Sequence, residues 1–277
     1  MTIRTATLPA AVTTEDLLPG VYPYGAALYN ILPIGVGLAD TVIADADHTL
    51  ITGPADRTGL AAVNHAAQAV ARGHELAVVT LASQASLLDV LHPFAAAHAT
   101  DLDAAVAVLR HATAELTRRT GLLQEHAVFS FAGLPNSVRM SWEPVSPVTI
   151  VIEDPAALLA EPELADLFDA VVARGRHLGI YLLATATAPR PAVTQHLARF
   201  TSRITLMETV DEGLLELTTQ FDGIPKNAAE LEGPGLAITD IDGIPTLYRQ
   251  ALPAAPATLP ELLRQIGVPD ARGWVGR

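Results

Sequence analysis

Short runs of apolar, β-branched residues alternate along this chain with longer segments in which apolar residues recur every three or four positions. His48–Thr52 reads as a strand closing on Gly53, and Leu60–Arg72 as the helix that follows. Leu76–Leu81 is the next strand. Leu102, Val106, Leu109, Thr113 and Leu116 then line one face of an amphipathic helix expected to end near Gly121. Val148–Ile152 is the most strand-like run, closed by Glu153-Asp154-Pro155. After it, Leu164, Leu167, Phe168, Val171, Val172 and Leu178 share a helix face, with Glu161, Asp166, Arg174 and Arg176 off it. Strands over Ile180–Ala184 and Arg203–Met207 follow, and Gly235–Thr239 with Pro245–Tyr248 reads as a hairpin around Asp242-Gly243. This alternation predicts an α/β fold whose mainly parallel sheet is covered by helices on both faces.

The ends differ from this pattern. Residues 1–31 carry Pro9, Pro19 and Pro23 without a sustained period, which suits a leader lying on the domain. Pro253-Ala254-Ala255-Pro256 reads as a stiff linker before a short helix over Pro260–Ile266. No internal repeat is present, and the apolar stretch from Tyr24 to Val36 is broken by Gly25, Asn30, Pro33 and Gly35, so a soluble cytoplasmic protein is expected.

Composition narrows the chemistry. A chain of 277 residues that is 50% hydrophobic can bury one large core. Its net charge of -13 repels phosphate backbones, so contact with nucleic acid has to be local. The absence of cysteine excludes disulfides, thiolate metal sites and a cysteine nucleophile, and the nine histidines show no HExxH or comparable spacing, so no metal site is expected. His48, His65, His111, His177 and His196 read as surface or capping residues, and Arg118-Arg119 and Arg174/Arg176 as solvated helix faces rather than DNA contacts.

Several strings in order carry a resemblance. Leu32-Pro33-Ile34-Gly35-Val36-Gly37 precedes His48-Thr49-Leu50-Ile51-Thr52-Gly53; then come Val148–Asp154, His177–Thr185, Thr201-Ser202-Arg203-Ile204 and Glu232-Gly233-Pro234-Gly235-Leu236-Ala237. Together they resemble the motor domain of the FtsK/SpoIIIE family and the related ATPase domains of type VII secretion motors. The resemblance covers 32–250 and implies a RecA-like P-loop NTPase fold with a C-terminal β-hairpin, flanked by a leader over 1–31 and a tail over 251–277. It also implies ATP and Mg²⁺ as cofactors and subunits of the same fold as partners, in a homo- or hetero-oligomer or ring, with double-stranded DNA as a substrate.

The residues that would carry this chemistry are altered. A P-loop points backbone N–H groups, a Lys and a Ser/Thr hydroxyl at phosphate and Mg²⁺. Aligned on Gly53, the second glycine is Thr58, the Lys is Gly59 and the Ser/Thr is Leu60, while Pro54 removes a donor and Asp56 adds a carboxylate. Gly53, Arg57, Thr58 and Gly59 are the candidate nucleotide-binding residues. Loss of the Lys and hydroxyl, about 1.5–3 kcal/mol each, weakens triphosphate binding by on the order of a hundredfold or more. Glu153 and Asp154 are the candidate catalytic pair, in the reverse of the family's Asp-Glu order. Ala186 stands where the family carries a polar sensor, with Thr187 and Arg190 nearby, whereas Arg203 matches the family's arginine at the subunit boundary.

Three functions are compatible with this pattern. One is a scaffold or regulatory subunit of a DNA translocation, segregation or conjugation assembly with weak or absent ATP hydrolysis. The others are an active ATP-driven DNA translocase and a type VII secretion-like component that binds protein partners.

Overall fold

The computed structural model describes residues 12–18, 31–36, 41–81, 85–139, 145–187, 191–206, 236–241 and 244–274. The expected turn at Asp242-Gly243, the residues 232–235 of the glycine-rich segment, and Arg190 lie outside them. One ten-stranded sheet runs through the molecule in the order β2-β1-β10-β9-β8-β3-β7-β6-β4-β5. Its strands are β1 Ile31–Val36, β2 Thr41–Asp45, β3 Thr49–Thr52, β4 Glu75–Thr80, β5 Ala95–Ala99, β6 Val148–Glu153, β7 Ile180–Ala186, β8 Ser202–Leu206, β9 Leu236–Ile241 and β10 Ile244–Gln250. The ladders from β8 to β5 are parallel, while β9, β10, β1 and β2 extend the sheet in antiparallel sense.

The helices are α1 Thr14–Leu17, α2 Ala55–Ala71, α3 Leu102–Glu125, α4 Asn136–Arg139, α5 Ala156–Leu159, α6 Pro162–Leu178, α7 Pro191–Leu197 and α8 Leu259–Gln265. Neighbouring strand residues face opposite sides of the sheet, which divides the core in two. Leu50, Ile150, Ile152 and Leu182 pack with Leu109 and Leu116 of α3 and Leu164, Phe168 and Val171 of α6. Ile51, Val151, Leu183 and Ile204 pack with Ala62, Val63, Ala66 and Val70 of α2, and with Leu259 and Leu263 of α8. At about 25 cal/mol per Å² of apolar area removed from water, these two layers are the main favourable contribution to folding.

Several elements differ from the expectation. Helix α2 starts at Ala55, five residues before the expected Leu60, and α3 continues past Gly121 to Glu125. Strands β1, β2 and β5 were not foreseen; Pro33 and Gly35 interrupt β1 at a bulge against β2, and β5 is nearly all alanine, a weak strand former. Gly35 is required in β1, since a Cβ there would stand 2.1 Å from the carbonyl oxygen of Arg249.

The tail around the expected stiff linker packs on the domain. Leu252 exchanges backbone hydrogen bonds with the leader, donating to Val12 O at 3.2 Å and accepting from Thr14 N at 3.1 Å. Trp274 donates from its backbone N–H to Ala96 O at 3.0 Å, stacks on His111 at 4.2 Å, and donates from its indole to Glu75 Oε2 at 3.0 Å. This covers the outer edge of β5, which would otherwise expose unpaired backbone groups.

His48 and His65 are buried core residues, not the surface or capping groups expected. Leu182 N–H donates to His48 Nδ1 at 3.0 Å, which holds the ring neutral and continues the β3–β7 pairing beyond Thr49. Burial pushes His48 down to about 4, with Asp47 opposing the shift and Arg176 and Arg199 adding to it. Burial likewise lowers His65 to about 4, aided by His74. Unfolded imidazoles bind protons below about pH 6.5, where the folded ones do not, so these two histidines favour unfolding as pH falls from there toward 4. Stability is expected to be full above that window and to decline within it by up to roughly 1.4 kcal/mol per pH unit for each imidazole. Urea denaturation at stepped pH should give a shallower decline for His65→Leu; an unchanged slope would show that His65 is not the source.

Candidate nucleotide site

The six parallel strands end at one edge of the sheet, where ligands bind in open α/β folds. Polar residues meet there: Glu153 ends β6 in register with Thr80 of β4 and Thr185 of β7. Beside them Thr52 of β3 donates its hydroxyl to Thr205 Oγ1 of β8 at 3.4 Å. The threonines Thr52, Thr80 and Thr205 were not singled out from sequence, because a threonine inside an apolar strand reads simply as a β-branched residue.

The turn after β3 is shorter than a phosphate loop. Gly53 is at φ 144° and Pro54 caps α2, which begins at Ala55, so Arg57, Thr58 and Gly59 lie inside the helix rather than in a loop. A Cβ on Gly53 would stand 2.8 Å from Leu206 Cβ, so this glycine permits the close approach of β8. Three backbone donors of this segment are committed: Gly53 N–H goes to Ala186 O at 3.3 Å, and those of Arg57 and Thr58 go to Pro54 O at 3.0 and 2.9 Å.

The side chains follow the same pattern. Thr58 is buried and its hydroxyl donates to Ala55 O at 3.1 Å. Gly59 faces Leu87, whose Cδ1 would lie 3.1 Å from a Cβ there. Arg57 Nε is 3.5 Å from Asp56 Oδ2. The four candidate binding residues are therefore adjacent in space, but three of them serve helix geometry and packing. These residues do not fit a triphosphate: Pro54 has no N–H to offer, no lysine is present in the turn, and the Asp56 carboxylate lies in the first turn of α2.

The acidic pair divides into two roles. Asp154 adopts a left-handed backbone at φ 43°, a conformation Asp tolerates better than most residues. Its N–H donates to Thr185 Oγ1 at 3.2 Å and its Oδ1 accepts from Ala156 N–H at 3.3 Å, so the carboxylate turns toward the start of α5. Glu153 Oε2 is buried and has no hydrogen-bond partner. A carboxylate oxygen in that state costs free energy, about 1–3 kcal/mol or more, unless a donor or cation reaches it.

Ala186, at the sensor position, is buried at the end of β7. Arg203 lies in register with Leu50, across β7 and β3 from β6, about 14 Å from the acidic pair at the usual strand spacing. It is not brought to this chain's own Glu153. Its guanidinium donates to Phe200 O at 3.1 Å and Ala198 O at 2.7 Å, just after α7, and burial lowers its pKa. Glu208 and Asp211, the acidic residues that follow it in sequence, lie outside the described residues.

The four helix arginines read as solvated faces have partners within the domain. Arg119, expected on a solvated helix face, is buried; Arg118 pairs with Glu115, Arg176 lies 3.3 Å from Asp47, and Arg174 donates to Thr120 Oγ1 at 3.2 Å. Asp47 and Thr120 come from other elements, which spacing on a helix could not reveal, whereas Glu115 lies one turn before Arg118 and Arg119. Among the described residues no helix is long and apolar enough to cross a membrane.

No protein-family model matches the sequence, and no curated protein matches it. Solved structures do match. The chain resembles the pCW3 conjugation coupling protein TcpA, solved as a monomer with ATPγS, with a TM-score of 0.75 at 14% identity over 93% of this chain and 75% of that one. It resembles EssC (ATPases 2 and 3) from Geobacillus thermodenitrificans with a TM-score of 0.67 at 17% identity, over 95% of this chain and 54% of that one. For the cytoplasmic domain of the Thermomonospora curvata type VII secretion ATPase EccC the TM-score is 0.70 at 20% identity, over 95% of this chain and 35% of that one. The chain thus spans about half of the EssC structure and a third of the EccC structure. With its parallel strands, its edge at Gly53 and Glu153, and its terminal hairpin, the chain has the RecA-like P-loop fold of FtsK/SpoIIIE-type ATPase domains.

Proposed function

We propose that this chain is a scaffold or regulatory subunit of an ATP-driven DNA-transfer or secretion assembly, with a nucleotide site that does not support hydrolysis. The observation that carries this reading is the start of α2 at Ala55, which places Arg57, Thr58 and Gly59 inside a helix, with the N–H groups of Arg57 and Thr58 bonded to Pro54 O. Substitution of the Lys and Ser/Thr positions by Gly59 and Leu60 supports it, since charge neutralisation and Mg²⁺ ligation are lost together. In this reading Arg203 faces a neighbouring subunit, because one subunit of a RecA-like ring can lose its phosphate loop while still completing the site of the next.

The partnerless Glu153 Oε2 favours a second reading, an active ATP-driven DNA translocase in which the carboxylate works with a cation. Likeness to the EccC and EssC domains supports a third, a secretion component that binds protein partners beside the altered turn.

Calorimetry with ATP, with and without Mg²⁺, and a turnover assay separate the readings. Binding is expected to be at least about a hundredfold weaker than that of an intact P-loop domain measured alongside. Turnover should stay at background. Turnover abolished by Glu153→Gln or Asp154→Asn would establish an active ATPase instead. Arg203→Ala is expected to lower oligomerisation or the rate of a co-purified ATPase partner. A loss of thermal stability alone would make the arginine a clasp on the carbonyls after α7.

A further inference from the structure

The 3₁₀ helix Leu87–Phe94 and the edge strand β5 bring two histidines together. His92 Nδ1 and His98 Nδ1 are 2.9 Å apart, with ring centroids 5.1 Å apart and planes inclined at 55°. On the far side of the His98 ring, Nε2 lies 3.5 Å from Asp89 Oδ1 and 3.3 Å from Thr80 Oγ1. Asp89 is held in place by the helix cap, its Oδ2 accepting from Ser86 N–H at 3.2 Å.

This arrangement selects a tautomer. A carboxylate only accepts hydrogen bonds, so Asp89 favours the proton on His98 Nε2 and leaves the lone pair on Nδ1, the nitrogen nearer His92. Two imidazole nitrogens that close share either one proton or one cation. At the usual metal–nitrogen distance of about 2.0–2.1 Å, nitrogens roughly 2.9 Å apart subtend about 90° at the metal, the angle of a tetragonal rather than a tetrahedral ion. A carboxylate on the second nitrogen of a ligating histidine is the usual outer-shell partner, because it orients the ring and raises its basicity.

We propose that His92 and His98 form a two-imidazole site for a divalent transition ion of the Cu²⁺ or Ni²⁺ kind, with Asp89 as its outer-shell carboxylate. His92 is exposed, so solvent completes the coordination; among the described residues no group of three or more His, Cys, Asp or Glu surrounds a common point. The two histidines escape a sequence search because five residues, including a proline and a change from helix to strand, separate them.

Cu²⁺ and Ni²⁺ are titrated into the untagged full chain, with calorimetry for stoichiometry and electron paramagnetic resonance of the Cu²⁺ form for nitrogen ligation. The expected result is a tightest class of one ion per chain with two-nitrogen coupling and no response to Mg²⁺. His92→Ala, an exposed position whose loss leaves the fold intact, should weaken that class by at least about tenfold, and Asp89→Asn by about 10–100-fold. His126→Ala serves as the control and should bind as wild type. Equal affinity and stoichiometry for His92→Ala and wild type would overturn the proposal and leave the pair as a proton-sharing hydrogen bond.

Discussion

Replacing Arg119 with leucine is expected to lower stability by about 3–5 kcal/mol, the range for removing one member of a buried, hydrogen-bonded charge pair. Arg119 projects from α3 and is only 2% exposed. Its Nη1 donates to Leu178 O at 2.9 Å and Gly179 O at 3.0 Å, its Nη2 to Ser146 O at 2.6 Å, and its Nε to Glu115 Oε1 at 2.6 Å. The guanidinium also sits 5.0 Å from the centre of the Phe131 ring. One side chain thus joins α3, the carbonyls that end α6, and the segment entering β6. Burial pulls the arginine's pKa down while Glu115 pulls it up, and it stays charged because the guanidinium holds its proton so strongly.

Leucine removes the fork and leaves three carbonyls without that donor. Lysine carries the charge but cannot reproduce planar donation in several directions, so Arg119→Lys should recover less than half of the loss. Urea denaturation midpoints decide it. A loss below about 1 kcal/mol for Arg119→Leu would mean that water replaces the fork and that the arginine does not organise this junction.

Two helical glycines should respond to alanine with opposite signs. Gly175 lies in α6 where a Cβ would stand 2.3 Å from the carbonyl oxygen of Ile180 and 3.1 Å from His48 Cε1. The first contact is with backbone of β7 and cannot be relieved by a side-chain rotation, so α6 has to move off the sheet. Gly175→Ala is therefore expected to cost about 3 kcal/mol, at the upper end for overpacking a core. Gly121 lies in α3 with nothing within 4 Å of the same position. There alanine only removes conformational freedom from the unfolded chain, and Gly121→Ala should stabilise by about 0.5–1 kcal/mol. Thermal unfolding of both variants is the measurement, and equal shifts would refute the packing role assigned to Gly175.

What the sequence determined by itself was the alternation of strand and helix from residue 48 onward, because that signal is local. Val148–Ile152 has only β-branched residues to offer and is buried in the parallel sheet, and the apolar period of 164–178 matches the face that α6 buries. The absence of lysine from residues 53–60 was equally legible, since identity alone decides which groups exist. Where α2 begins was not: a proline and a glycine ahead of it suggested a loop, whereas Gly53 packs against Leu206, a contact 153 residues away in the chain. The Ala-rich β5 was invisible because its place is set by β4 and by Trp274, not by its own propensity.

Only the tertiary structure decided what the charged and polar side chains do. Arg118 and Arg119 are neighbours in sequence, yet one is half exposed and the other buried among carbonyls from distant segments. Glu153 and Asp154 are an acidic pair in sequence, but one turns to cap α5 while the other keeps a buried oxygen without a partner. Hydrophobic periodicity records which side of an element faces the core. Hydrogen-bond partners come from elsewhere in the chain, and folding alone brings them within reach.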